Sequence, residues 1–199
     1  CKKQRTKCHY NNSYWDVAHN WDKYKLKIQK DLIFGTYIFE PAKLITLNNE
    51  TFAYFHAKDA IVIKALTTIL SKILSPIISK SCYHIKDNGG VYKAVNDINK
   101  NIKTNKFKHF FKTDIKSYYK SIQFEPLLEM LKTHVSCSKT LNLLKKYLYH
   151  VEINKAGNYS TVTQGLSKAS SISSLLGALY LSKLDKACEN VAHVKYVRY

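Results

Sequence analysis

Acids are scarce in this chain: 14 Asp and Glu stand against 32 Lys and Arg. One of them, Asp114, closes an apolar, aromatic-rich run (Phe107, Phe110, Phe111). Ile115 and the pair Tyr118-Tyr119 follow it, with Lys112, Lys116 and Lys120 interleaved. The run predicts a buried strand that ends at Asp114. A carboxylate on a rigid strand end, with a backbone carbonyl beside it, suits one corner of a divalent-metal site. Magnesium takes hard oxygen ligands, and phosphate chemistry uses two such ions ~3.5–4 Å apart. The remaining ligands are expected beyond Tyr199. A lone Asp at a strand end is more commonly a cap or turn former, and these residues alone leave both readings open.

Two other groups of residues divide in the same way. In an extended segment the Tyr118-Tyr119 pair must point to opposite sides, so one ring joins the core and the other walls a pocket. Aromatic pairs after a strand are commonly core. Ser167–Ser174 (SKASSISS) heads a long predicted helix. Its small residues let a backbone or a flat base approach closely, and a helix N-terminus favours anions. A serine N-cap region explains the same composition. Lys168 within it is a surface charge or a phosphate contact.

Several elements must position these groups. The spacing of Trp15, Ala18, Trp21 and Tyr24 predicts a helix over Ser13–Gln29 with Ser13 as N-cap, and Gly35 stops it or turns the chain. Thr36–Phe39, Lys43–Leu47 and Thr51–Phe55 read as short strands, with Asn48-Asn49 as the turn between the last two. Asp59–Leu74 is a helix limited by Pro76, and Val91–Ile102 is another after the Asn88-Gly89-Gly90 turn. Pro126 opens a helix carrying Leu127, Leu128 and Leu131. Thr140–His150 is helical, Val151–Ile153 and Tyr159–Val162 form a hairpin, Ser170–Ala187 is a single long helix, and Val194–Tyr199 starts a final strand. Cys1–Asn12 reads as a frayed basic arm.

Net charge is +18 with a pI near 9.6 and mean hydropathy −0.30. Such a field attracts polyanions. No apolar run is long enough to span a bilayer, so no membrane association is expected. Five scattered cysteines (Cys1, Cys8, Cys82, Cys137, Cys188) without a signal peptide favour a reducing, cytoplasmic setting. Cys8-His9 and Cys82-x-His84 lack a second pair at zinc-ligand spacing. The chain begins with Cys1 and stops at Tyr199 directly after KYVRY, and reads as a piece of a longer protein.

The order of these features resembles the reverse transcriptases of the bacterial group II intron and retron type, from about Gly35 to Tyr199. Asp114-Ile115-Lys116-Ser117-Tyr118-Tyr119-Lys120-Ser121-Ile122 is similar to the family's first palm motif. Ser173 through Asp185 (SSLLGALYLSKLD) follows the family's Ser-Pro-Leu-Leu-Ala-Asn-Ile-Tyr-Leu-Asn-x-Leu-Asp pattern without a gap, with Ser174 in place of Pro. That frame puts Lys168-Ala169 at the usual Gln-Gly and leaves Gln164-Gly165 out of register. Tyr196-Val197-Arg198-Tyr199 looks like the strand leading into the Tyr-x-Asp-Asp motif. His56–Val62 resembles the fingers segment that usually reads Asp-Arg, with Ala60 at the Arg position.

The resemblance implies an α+β fold: right-hand polymerase fingers and partial palm, an antiparallel sheet with packed helices. Residues 1–34 would be an N-terminal basic helical segment, 35–105 the fingers and 106–199 the palm. It implies an RNA-directed DNA polymerase that adds dNTPs to a primer 3′-hydroxyl on an RNA template, with DNA or RNA as primer and Mg²⁺ (or Mn²⁺) as cofactor. Asp114 would be the first metal-binding carboxylate and Ile115 a carbonyl donor to the metal. Tyr119 would wall off the ribose 2′ side. Lys168, Ala169, Lys43 and Lys58 would meet the nucleotide, and Ser173, Arg198 and Tyr199 the template–primer. A chain truly ending at Tyr199 would be inactive. The alternatives are a maturase-like RNA-binding protein of the same descent and an unrelated basic α+β module. Intron mobility, retron synthesis, phage defence and diversity-generating elements share these motifs.

Overall fold

The computed structural model describes residues 12–85, 88–104, 107, 109–168 and 170–199. Most of the basic arm at 1–11 and Ala169 therefore lie outside the described residues. The predicted first helix is two: α1 (Ser13–His19) and α2 (Trp21–Phe34). The chain breaks at Asn20, whose side chain bonds back to Asp16. Asn12, not Ser13, caps α1: its Oδ1 accepts the Tyr14 N–H at 2.9 Å. The Ser13 hydroxyl instead accepts the Ala57 N–H at 3.1 Å. Gly35, at φ +73°, ends α2.

Thr36–Phe39 is not a strand and pairs with none among the described residues. Lys146 Nζ holds this stretch, donating to the carbonyl of Gly35 just before it (3.1 Å) and to that of Tyr37 within it (2.9 Å). The hairpin of β1 (Ala42–Leu47) and β2 (Glu50–Tyr54) turns through Asn48 and Asn49 at φ +49° and +63°, the left-handed pair that a two-residue hairpin turn demands. Then come α3 (Ala57–Leu74), α4 (Gly90–Lys103), α5 (Tyr118–Ser121), α6 (Phe124–Lys132) and α7 (Ser138–Leu148). β3 (Val151–Ile153) and β4 (Tyr159–Thr161) form the second hairpin. The predicted long helix is split at Leu181 into α8 (Ser173–Tyr180) and α9 (Ser182–Glu189).

The sheet order is β2-β1-β3-β4. Both hairpins are antiparallel, and β1 pairs with β3 in parallel, Lys43 opposite Ile153. One sheet thus joins residues on both sides of position 105. The main core does the same. Ala42 and Ala53 of the sheet, Leu70 of α3, Leu127 of α6, Leu148 of α7 and Leu176 of α8 belong to one buried cluster. α2 docks separately, through Ile28 against Tyr37 and Val62. Asp59, in the first turn of α3, is fully buried and accepts from the Tyr37 hydroxyl (2.6 Å) and the Glu40 N–H (3.0 Å).

Candidate active site

The segment leading to Asp114 is not a buried strand. Residues 109–115 form no ladder with any described residue, and Phe110 and Phe111 are 73% and 88% exposed. A strand exists only through a neighbour's N–H and C=O groups, and none of the described residues brings them here. Asp114 is exposed, and among the described residues no side chain pairs with it. The Ile115 carbonyl accepts the Tyr118 N–H at 3.3 Å, which leaves one lone pair for another partner. An accessible carboxylate next to such a carbonyl fits one corner of a magnesium site. Among the described residues no three acidic, histidine or cysteine side chains gather to complete it.

Ser117, at φ +54°, bends the chain into α5. Because α5 is helical, Tyr118 and Tyr119 do not point to opposite sides. Their rings lie 5.3 Å apart at 59°, both half-buried against Gly177 of α8. The Tyr118 hydroxyl donates to the Gly177 carbonyl at 2.5 Å. The Tyr119 carbonyl accepts the Leu166 N–H at 2.8 Å. Burial pushes the Tyr119 phenol up, partly offset by the nearby Arg198 guanidinium.

The expected cations are largely engaged. Lys168 Nζ is 2.7 Å from Glu50 Oε1 at the start of β2, and this contact with Lys120 nearby holds the Glu50 carboxyl below its usual range. Lys58 pairs with Glu40 at 2.6 Å. Lys43 is exposed on β1 without an ion-pair partner among the described residues.

Two of the predicted template contacts are internal instead. Ser173 is 1% exposed, its hydroxyl 3.4 Å from the Tyr147 hydroxyl, so it packs the core. Arg198 forks onto the fully buried Asp185, Nε to Oδ1 at 2.8 Å and Nη2 to Oδ2 at 2.6 Å, with Nη2 also donating to the Ala178 carbonyl at 3.2 Å. Tyr196 donates to Asp185 Oδ1 at 2.8 Å. The expected final strand is reduced to one parallel bridge, Cys82 with Arg198. Tyr199 is 70% exposed. The residues sequence reasoning missed are Glu50, Asp185 and Gly177. Asp185 and Gly177 lie inside the recognised motif, but their partners are distant in sequence. Glu50 carried no signal.

A family model described as reverse transcriptase (RNA-dependent DNA polymerase) matches residues 57–199. The putative COX1/OXI3 intron 2 protein of Saccharomyces cerevisiae is 31% identical over 81 residues, 41% of this chain and 10% of that protein. Among solved structures, a chain of the partial Cas6-RT-Cas1–Cas2 complex and a chain of the Cas6-RT-Cas1–Cas2 complex each align over 94% of this chain at TM-score 0.54 and 17% identity. At that identity the likeness is one of fold. The chain spans 32% and 20% of those two chains. No helix among the described residues is long and apolar enough to cross a membrane. With a family match that covers most of its length, this chain belongs to the reverse transcriptase family.

Proposed function

We propose that this chain is the fingers (35–105) and part of the palm (106–199) of an RNA-directed DNA polymerase, preceded by a basic helical segment (1–34). In the whole protein the primer 3′-hydroxyl attacks the α-phosphate of a dNTP, and pyrophosphate leaves. The observation that carries this reading is Asp114. It is an exposed acid in a strongly basic chain, free of any cation among the described residues, and five positions ahead of a tyrosine seated on α8.

Magnesium, or manganese, would supply Lewis-acid charge at the phosphate when bound. Asp114 and the Ile115 carbonyl would hold it, with further carboxylates from the whole protein. The Tyr119 ring excludes a 2′-hydroxyl and so selects deoxynucleotides. Lys43 offers a free positive charge to the triphosphate. Lys168 and Lys58 do so on exchanging Glu50 and Glu40 for phosphate oxygens. The net charge of +18 follows the template–primer backbone.

Primer extension on an RNA template by the full-length protein tests this. Asp114→Asn should lower dNTP incorporation by at least about a hundredfold, the scale of losing one transition-state charge contact, with RNA binding unchanged in a gel shift. Incorporation by Asp114→Asn at the wild-type rate sinks the proposal. A second reading, RNA binding without synthesis, draws on the similarity to an intron protein. It predicts tight RNA binding and no incorporation by the wild type.

A further inference from the structure

We infer that Gly177 sets the depth at which Tyr119 sits, and so tunes how the site admits the sugar of an incoming nucleoside triphosphate. The inference rests on Tyr119 acting as the ribose gate. A Cβ on Gly177 would lie 3.2 Å from Tyr119 Cε1, 3.6 Å from its Cζ and 3.4 Å from Tyr118 Cε1. The first of these distances requires the neighbour to give way by a few tenths of an ångström.

Three observations decide which neighbour gives. Tyr118 is tied by its hydroxyl to the carbonyl of Gly177 itself, at 2.5 Å. The backbone of α5 is held from the other side: Leu166 N–H bonds the Tyr119 carbonyl and Gly165 N–H bonds the Ile122 carbonyl, both at 2.8 Å. Gly165, at φ +87°, packs so closely that a Cβ there would be 3.0 Å from the Lys120 carbonyl oxygen. The Tyr119 hydroxyl has no partner among the described residues. The ring of Tyr119 is therefore the movable part, and it moves away from α8. Glycine is a poor helix former, yet it occupies a buried position in α8 where its missing side chain makes room for the ring.

The test compares four forms of the full-length protein in single-nucleotide primer extension: wild type, Gly177→Ala, Tyr119→Val and the double variant. Gly177→Ala should raise the KM for dNTP roughly threefold to tenfold with kcat little changed, the scale of a sub-ångström misplacement, and should exclude rNTP further. Tyr119→Val should admit rNTP. In that background Gly177→Ala should add nothing, because no ring remains to displace. A purely structural glycine would produce the same loss in both backgrounds, and that result overturns the inference. A neutral Gly177→Ala beside a Tyr119→Val that still relaxes sugar selection overturns it while leaving the polymerase reading intact. A wild type that incorporates nothing, or a Tyr119→Val with unaltered selection, removes the gate and the inference with it. Should Gly177→Ala fail to fold, Tyr118→Phe carries the test. Freed from the Gly177 carbonyl, the tyrosine pair loosens and rNTP incorporation rises; no rise overturns the inference.

Discussion

Arg198 meets Asp185 through both carboxylate oxygens, and the pair closes a buried junction of three segments. Asp185 is fully buried on α9, Arg198 Nη2 also reaches the Ala178 carbonyl of α8, and the Arg198 backbone bonds Ser81 and Tyr83. The residue just before Tyr199 is thereby fixed on two sides. The break at Leu181 turns α9 so that Asp185 faces inward.

Removing the guanidinium leaves a buried carboxylate without its counter-charge. Arg198→Ala should destabilise by about 3–5 kcal/mol, and Arg198→Lys should recover only part of that, because an ammonium cannot make the planar two-point fork. Urea denaturation of the chain measures both. Replacing the pair together, as Arg198→Met with Asp185→Leu, should cost much less than Arg198→Ala alone. Equal losses for the alanine and the double variant would mean that the fork's packing, not its charge, holds the junction.

The Glu50–Lys168 pair behaves differently because both side chains are about half exposed. Water and salt screen it, so its contribution to stability is small. Its effect on anions is not small, since Glu50 occupies the charge of Lys168 and has Lys120 of α5 nearby. Glu50→Gln should leave the melting temperature nearly unchanged while tightening RNA and dNTP binding, with the gain fading as salt rises. Binding isotherms at low and high salt read this out. Weaker binding by Glu50→Gln would show that Lys168 needs its carboxylate to hold it in place.

Local chemistry was legible in the sequence. Asn48-Asn49 specified a tight hairpin turn, Pro76 closed α3, and Pro126 sits in the first turn of α6, where its missing N–H costs nothing. Asp114 stood out by type and setting, whereas Tyr119 was separated from Tyr118 only by the family resemblance. What the sequence hid depends on partners far along the chain. The aromatic run before Asp114 has strand composition, but composition does not supply a neighbouring backbone. The 170–187 stretch has helical periodicity throughout, and periodicity cannot register that Asp185 turns toward an arginine 13 residues later. Lys168 looked like a free cation because its partner lies 118 positions earlier.

The buried Asp59 supplies a pH-dependent test. Burial pushes its carboxyl above the usual value near 3.8, opposed by the Tyr37 hydroxyl, the Glu40 amide and the Lys58 ammonium. A carboxyl raised in the folded state favours folding fully below its unfolded value and loses that contribution as pH rises through its folded value. The Tyr37 hydroxyl limits the loss by donating to the ionised form at 2.6 Å. Tyr37→Phe removes that donor and raises Asp59 further, so the variant should be less stable by roughly 1–3 kcal/mol at neutral pH, the cost of a buried acceptor losing its partner. The deficit should shrink as pH falls to about 4 and below, where the unfolded carboxyl takes up its proton as well. Urea melts of wild type and Tyr37→Phe across this range measure the difference. A deficit that stays constant with pH would place the loss in the packing of the ring rather than in the charge it solvates.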